Sequence, residues 1–345
     1  MLYVTTRNDR EVYTAQRALR EGRGPDGGLY VPFRDPVFPD EDIRALKEKS
    51  FNRCVADTLN VLFQARLTSW DVDFAIGRYA VRLKMLGKRL VISEGWHNLE
   101  SEFSRIVKNI SALLQGEKHA EICSGSWAEI GIRIAVLFGI FGELMREGIV
   151  DGDQKIDISV VSGDFSAPMS AWYARKWGLP IGNIVCACNE NSNLWDFICH
   201  GTLRCGDVAL STDTPCSDVI VPEGLERLIH ACGGTEETEC YLDTVRKGGN
   251  YYVEDVLLHR LRKGLYVTVS SRSRMVSTIP TVFGTHSHVL SPYGALAYAG
   301  LQDYRARTGE SRTALLMEER SPLLDAETVS SALGITADVL NEYMK

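Results

Sequence analysis

The chain has 345 residues, 45% hydrophobic and 24% charged, with Asp+Glu 45 against Lys+Arg 38 and a formal net charge of -7. That supplies a large core spread over two or three lobes, and it excludes a disordered or collagen-like chain. A mildly acidic balance gains little from a phosphate polyanion, which argues against nucleic-acid binding, and no apolar run approaches the ~20 residues of a membrane span. The opening Met1-Leu2-Tyr3-Val4-Thr5-Thr6-Arg7 lacks the apolar stretch of a secretion signal, so the expectation is a soluble, cytoplasmic protein.

In chain order, Val12, Ala15 and Leu19 recur at i, i+3 and i+7 and predict a short helix over 9–21, stopped by Gly22 and Gly24. Asp26-Gly27-Gly28 reads as a turn, and Leu29-Tyr30-Val31 as a short strand ended by Pro32. The stretch 40–86 has few breakers and reads as mostly helical. Over 102–115, Phe103, Ile106, Val107, Ile110, Leu113 and Leu114 fill one stripe of an amphipathic helix. A second helix over 128–146 is apolar nearly all round and should be buried. Beyond it, strands are expected at 156–161, 184–188, 265–270 and 313–317, and helices at 167–177, 223–232, 293–307 and 326–333. Such alternation predicts an α/β fold with flanking helices, a mainly parallel sheet and right-handed crossovers. Gly148–Lys155 and Gly233–Gly249 are the linker candidates.

Several motifs invite chemistry. Gly22-x-Gly24-x-x-Gly27 has the letters of a dinucleotide fingerprint, but it contains Pro25 and leads into a strand, so it reads as a turn. Ser162, Gly163, Asp164, Phe165 and Ser166 lie between a strand and a helix, where a parallel sheet places its ligand crevice. Amides at that helix start can receive an anion, or Asp164 or Ser166 can simply cap the helix. Seven of the nine cysteines fall within Cys186–Cys240. Cys186 and Cys188 share one face of a strand and read as reduced, structural thiols; Cys199, His200 and Cys205 lack the paired spacing of a zinc site, so no metal is expected. His286-x-His288 reads as a polar loop.

Taken together, four blocks resemble threonine synthase, a family of fold-type-II pyridoxal-phosphate (PLP) enzymes. They are Gly24-Pro25-Asp26-Gly27-Gly28-Leu29-Tyr30-Val31-Pro32, the phosphate-cup-like Ser162–Ser166, Gly178-Leu179-Pro180 followed by Cys188-Asn189-Glu190-Asn191, and Ser211–Asp218 with Pro222 and Glu226-Arg227-Leu228. The resemblance implies an N-terminal, mostly helical threonine-synthase-like region over 1–120 and an α/β large-domain-like region over 121–345. The family's Phe-Lys-Asp motif, whose lysine holds PLP as a Schiff base, finds its best local match in Leu99-Glu100-Ser101-Glu102-Phe103, which has no lysine. Gln115 runs almost directly to Cys123–Arg133, so the small mobile lobe is expected to be largely missing.

These departures act in one direction. The lysine anchors the cofactor and shuttles protons. Asp164 in the cup would repel a phosphate dianion by on the order of 4 kcal/mol per charge pair at about 4 Å and an effective dielectric of about 20. The leading expectation is a homologue without PLP-dependent lyase activity and without a cofactor. It would hold a small anionic or amino-acid-like ligand at Ser162–Ser166, or work with a protein partner or as a homo-oligomer. The alternative is an active PLP lyase acting on O-phosphohomoserine or a related amino acid, using Lys84, Lys88, Lys108 or Lys118. A third reading is a Cys/His metal or redox protein on the same scaffold.

Overall fold

The computed structural model describes residues 1–77, 81–96 and 102–345. Strand β1 (Leu2–Thr5) pairs antiparallel with β2 (Asn8–Thr14) on one side. After helix α1 (Ala15–Arg20), β3 (Tyr30–Pro32) pairs with β1 on its other side. The helix expected over 9–21 is therefore half strand. Tyr13 faces Tyr3 across the hairpin, and this pairing overrides a weak helical period in which Val12 is exposed. The helix begins only after Thr14, whose side chain accepts the Arg17 amide. The glycine-rich segment is a turn, held by Asp26, which accepts from the Gly28 amide and the Thr5 hydroxyl.

Helices α2 (Asp40–Arg44), α3 (Phe51–Phe63) and α4 (Ser69–Ile76) follow. The helical reading over 40–86 ends early, because β4 (Arg82–Met85) is an edge strand antiparallel to β5 (Leu90–Glu94). Helix α5 (Ser104–Gln115) buries its predicted stripe as far as Ile110 and leaves Leu113 and Leu114 half-buried, and α6 (Trp127–Arg146) is buried on nearly every side. Small residues let α3 press close on α6: a Cβ at Gly131 would meet Phe63 at 2.6 Å, and one at Gly139 would meet Phe51 at 2.7 Å.

Then come β6 (Ile156–Val161), α7 (Ser166–Lys176), β7 (Ile181–Cys188) and α8 (Asn193–His200). Strand β8 (Thr202–Arg204), helix α9 (Leu225–Arg246) and strand β9 (Asn250–Tyr252) form a small excursion in which β8 and β9 pair. The chain closes with α10 (Asp255–Arg262), β10 (Leu265–Val269), α11 (Arg272–His286), α12 (Pro292–Thr308), β11 (Ala314–Glu318), α13 (Ala326–Leu333) and α14 (Ala337–Met344). Gly233–Gly249 is not a linker. Helix α9 runs through it, with the break absorbed at Gly234 (φ +80), and then buries Thr238, Tyr241 and Leu242 on one face.

The central sheet has the order β10-β7-β6-β11-β5-β4 and is parallel except for β4. Strand β5, from the 1–120 stretch, pairs with β11 from the 121–345 stretch, so both stretches share this sheet. Among the described residues there is no second parallel sheet, and 116–126 alone joins α5 to α6. Alternation along the strands separates two cores. Cys186 and Cys188 face the α6 and α7 side, whereas Val185 and Ala187 face α11 and α12. No helix among the described residues is long and apolar enough to cross a membrane.

One buried cation ties these parts together. Arg227, at the start of α9, donates to the Tyr30 carbonyl at 3.1 Å and to the Gly125 carbonyl, and lies 6.0 Å from the Trp127 ring centre. Trp127 packs in turn on Tyr3, Tyr173 and Trp177. Truncating Arg227 leaves two buried carbonyls without this donor and opens a void against Trp127. Each lost partner costs about 1–3 kcal/mol, so Arg227→Ala should lower stability by about 3–5 kcal/mol in urea unfolding. A loss below about 1 kcal/mol would mean that the carbonyls find other donors.

Candidate ligand cavity

The carboxyl ends of parallel strands are where an open α/β sheet holds its ligands. Here a cavity of about 600 Å³ lies beyond β6 and β11. Val160 and Val161 of β6 and Met317 of β11 form its floor. Val107 and Lys108 of α5, Glu129 and Arg133 of α6, and the segment around Cys216 and Ser217 form its walls, with Tyr293 at the start of α12. The structure brings Ser162, Gly163 and Asp164 to this cavity. Phe165 and Ser166 are fully buried behind them, because Gly163 (φ +46) and Phe165 (φ +74) both turn through left-handed conformations.

Asp164 fills the mouth of the α7 N-terminus with its own carboxylate. One oxygen accepts the Ser166 amide at 2.9 Å; the other accepts the Ser166 hydroxyl at 2.9 Å and the Ser124 hydroxyl. No cation lies within ion-pair distance of it among the described residues, although its charge adds to the field that keeps Arg133 protonated. Deeper in, Arg133 bridges Glu129 (2.9 Å) and Glu319 and lies over the Phe103 ring. Burial opposes charge on Arg133, yet Glu319 and Glu129 hold its guanidinium firmly protonated. Burial pushes the Glu129 carboxyl upward against the pull of Arg133. At the rim Arg320 pairs with Glu102 (2.7 Å) and Asp325 (2.8 Å). Lys108 lines the cavity and has no ion pair among the described residues. The Ser217 hydroxyl, on a residue 3% exposed, has no hydrogen-bond partner among them.

The wall carrying Cys216 and Ser217 is fixed from behind. Asp218 accepts from the side chains of Asn189 (2.7 Å), Asn191 (3.1 Å) and Thr212 (2.7 Å) and from the Thr212 amide (2.8 Å). These residues belong to two of the sequence blocks noted above, whose shared task is to anchor this loop.

The other candidates are scattered. Leu99, Glu100 and Ser101 lie outside the described residues; Glu102 and Phe103 line the cavity. Of the four lysines considered, Lys108 reaches it. Lys84 points away to His288, and Lys118 joins Lys108 at a neighbouring groove. All nine cysteines are free thiols; Cys186 and Cys188 are buried, whereas Cys123, Cys216 and Cys240 are exposed. Burial raises the Cys186 thiol. Among the described residues no three His, Cys, Asp or Glu side chains gather to hold a metal ion.

The expectation of a polar loop at His288 is corrected. His288 is 3% exposed, with Lys84 at 3.2 Å from Nδ1 and Glu318 at 3.1 Å from Nε2, and Glu94 at 3.8 Å. An ammonium can only donate, so Nδ1 accepts and Nε2–H donates to Glu318. The signal was hidden because Glu94 and Glu318 meet only through the β5–β11 pairing.

The comparisons match this picture. Residues 2–78 match the family model described as threonine synthase N terminus. The threonine synthase of Corynebacterium glutamicum is 28% identical over 191 residues, covering 53% of this chain and 39% of that protein. Human threonine synthase-like 1 is 24% identical over 176 residues, covering 50% of this chain and 24% of that protein. The chain thus spans about a quarter of the length of its threonine synthase-like 1 relatives. The PLP-bound threonine synthase of Brucella melitensis superposes with a TM-score of 0.86 at 17% identity, over 97% of this chain and 92% of that one. Yeast threonine synthase gives 0.85 at 17% identity, over 96% and 90%. The chain shares the threonine synthase fold, and its N-terminal stretch matches that family.

With that family in view, the cup can be tested against the phosphate of PLP. A dianion at the α7 start would meet the Asp164 carboxylate already seated on the Ser166 amide. The described residues therefore do not fit a phosphate at this point.

Glu94 supplies a pH test of the buried cluster. Burial raises its carboxyl above the ordinary 4.5, with His288 pulling it back and Glu318 adding to the rise. The folded state then binds this proton more tightly than the unfolded chain, so its contribution to stability is full below about pH 4.5 and is lost as the pH climbs through the raised value. Glu94→Gln removes that loss. Its stability relative to the parent should rise between about pH 4 and pH 7 in urea melts; a difference that is flat or falls with pH would contradict the assignment.

Proposed function

We propose that this homologue has lost lysine-dependent PLP lyase chemistry and uses its cavity to hold a small zwitterionic, amino-acid-like molecule. One observation carries the reading. Among the described residues the cavity presents a carboxylate that forms no ion pair, Asp164, and an ammonium that forms none, Lys108. The remaining charges pair internally, as Arg133 does with Glu129 and Glu319 and Arg320 with Glu102. A ligand ammonium completes Asp164, whose three donors orient it without neutralising it. A ligand carboxylate completes Lys108, and the cavity floor of Val160, Val161 and Met317 accepts an aliphatic side chain.

Two features support the loss of lyase activity. Glu102 and Phe103 stand at the cavity where the resemblance would set the lysine motif, and Asp164 occupies the phosphate seat. The opposing reading, an active PLP lyase, rests on Lys108 in the same cavity.

Borohydride reduction in the presence of PLP, followed by peptide mapping, separates the two. The expected result is no pyridoxyl-lysine; a modified Lys108 would establish the lyase. In parallel, Asp164→Asn removes a repulsion of on the order of 4 kcal/mol before screening. Calorimetric affinity for PLP or inorganic phosphate should then rise by roughly 10- to 100-fold. Equal or tighter binding by the unaltered protein would overturn the role given to Asp164.

A further inference from the structure

Cys216 has no part in the reading above, yet it is the exposed thiol on the wall of the cavity. Its carbonyl lies 3.7 Å from where a Cβ on Gly163 would stand, so the thiol-bearing residue sits directly beside the cup and Asp164. Its amide donates to the Tyr293 hydroxyl at 3.1 Å, and that hydroxyl also contacts the Cys216 side chain. Next to it stands Ser217, 3% exposed and lining the same cavity, with a hydroxyl that no described residue satisfies. Buried hydroxyls are rarely left unpartnered, so this one marks a place for a polar ligand atom.

We propose that this corner is a covalent capture site at which Cys216 exchanges with a zwitterionic low-molecular-weight disulfide of the amino-acid type. The inference rests on the zwitterion reading of the cavity and adds to it a bond-forming thiol. The step is a displacement. The Cys216 thiolate attacks one sulfur of the ligand's S–S bond, a new S–S bond forms to Cys216, and the other half leaves as a thiolate that takes up a proton. The Cys216 proton goes to solvent, and the disulfide ligand is itself the oxidant, so no further co-reactant is needed. Burial raises the Tyr293 phenol; it stays protonated at neutral pH and is available to donate to the attacking or departing sulfur.

Cys123 and Cys240, also exposed, are internal controls that lie outside this cavity's lining. The purified full chain is incubated at neutral pH with cystine or with the uncharged hydroxyethyl disulfide, and adducts are mapped by mass spectrometry over time. With cystine, Cys216 should react at least about tenfold faster than Cys123 and Cys240, and about tenfold faster than it does with the uncharged disulfide. Tyr293→Phe should slow the cystine reaction several-fold without altering circular dichroism.

Equal rates at the three thiols, or equal rates with both disulfides, would overturn the proposal. Cys216→Ser separates it from the cavity reading. This variant should still bind free amino acids by calorimetry while forming no adduct. If the parent binds amino acids but Cys216 shows no preference, capture fails and the cavity reading stands. If neither chain binds amino acids or cystine, both fail.

Discussion

The geometry of the cavity depends on one guanidinium that never touches it. Arg227 is fully buried, and burial pulls it toward the neutral form, but no carboxylate forms an ion pair with it among the described residues. Its charge is spread over carbonyl dipoles and the Trp127 ring. Because Gly125 takes one of its hydrogen bonds, the segment before α6 is fixed relative to β3 and α9. Ser124, one residue earlier, is thereby delivered to Asp164. Glu226, next to Arg227, takes the Thr6 hydroxyl and lies 3.6 Å from both Arg7 and Arg23. The N-terminal sheet and the cup are thus oriented by two adjacent side chains on α9.

This arrangement explains why the family resemblance survives in blocks that hold no ligand. Gly24–Pro32 and Glu226-Arg227-Leu228 keep one another in place across the chain. Asn189, Asn191, Thr212 and Asp218 do the same for the wall behind Cys216. Asp164 substitutes its own carboxylate for an external anion, and the helix start it caps is then internally satisfied. A cup in this state no longer requires an anion for its stability, which leaves the cavity open to ligands of opposite character.

Much of the architecture was legible from period alone. Ile156–Val161 and Ala326–Leu333 fall where the pattern puts them, because both are short, strongly patterned elements with nearby breakers. The hairpin at residues 2–14 was not legible, since its register depends on pairing with β1 and not on its own weak period. Gly233 and Gly234 suggested a linker, but one left-handed glycine only kinks α9. At the site, Ser162–Asp164 could be found because a strand–turn–helix marks a crevice. Arg133 with Glu129 and Glu319 could be half found: the i, i+4 pair is visible in sequence, whereas Glu319 arrives from just past the end of β11, 186 residues away. Tyr293 and Cys216 carry no local signal, and only the folded sheet brings them together.

The short connection between α5 and α6 bears on what kind of binding this cavity sustains. Lys108 and the groove it shares with Lys118 lie toward water, where Coulombic contacts are weakened and salt-screened. A ligand held by Lys108 at the rim therefore gains little affinity there. Ser217 lies deeper and Asp164 is half-buried, and hydrogen bonds there count for more. Retention at such a site comes from the inner end: three donors fix the Asp164 carboxylate, and a buried hydroxyl waits beside it. An exposed thiol beside them, Cys216, offers what an open, charge-balanced crevice lacks. It holds a ligand by a bond whose strength does not depend on excluding water, and whose reversal is set by the redox state of the ligand's own thiol.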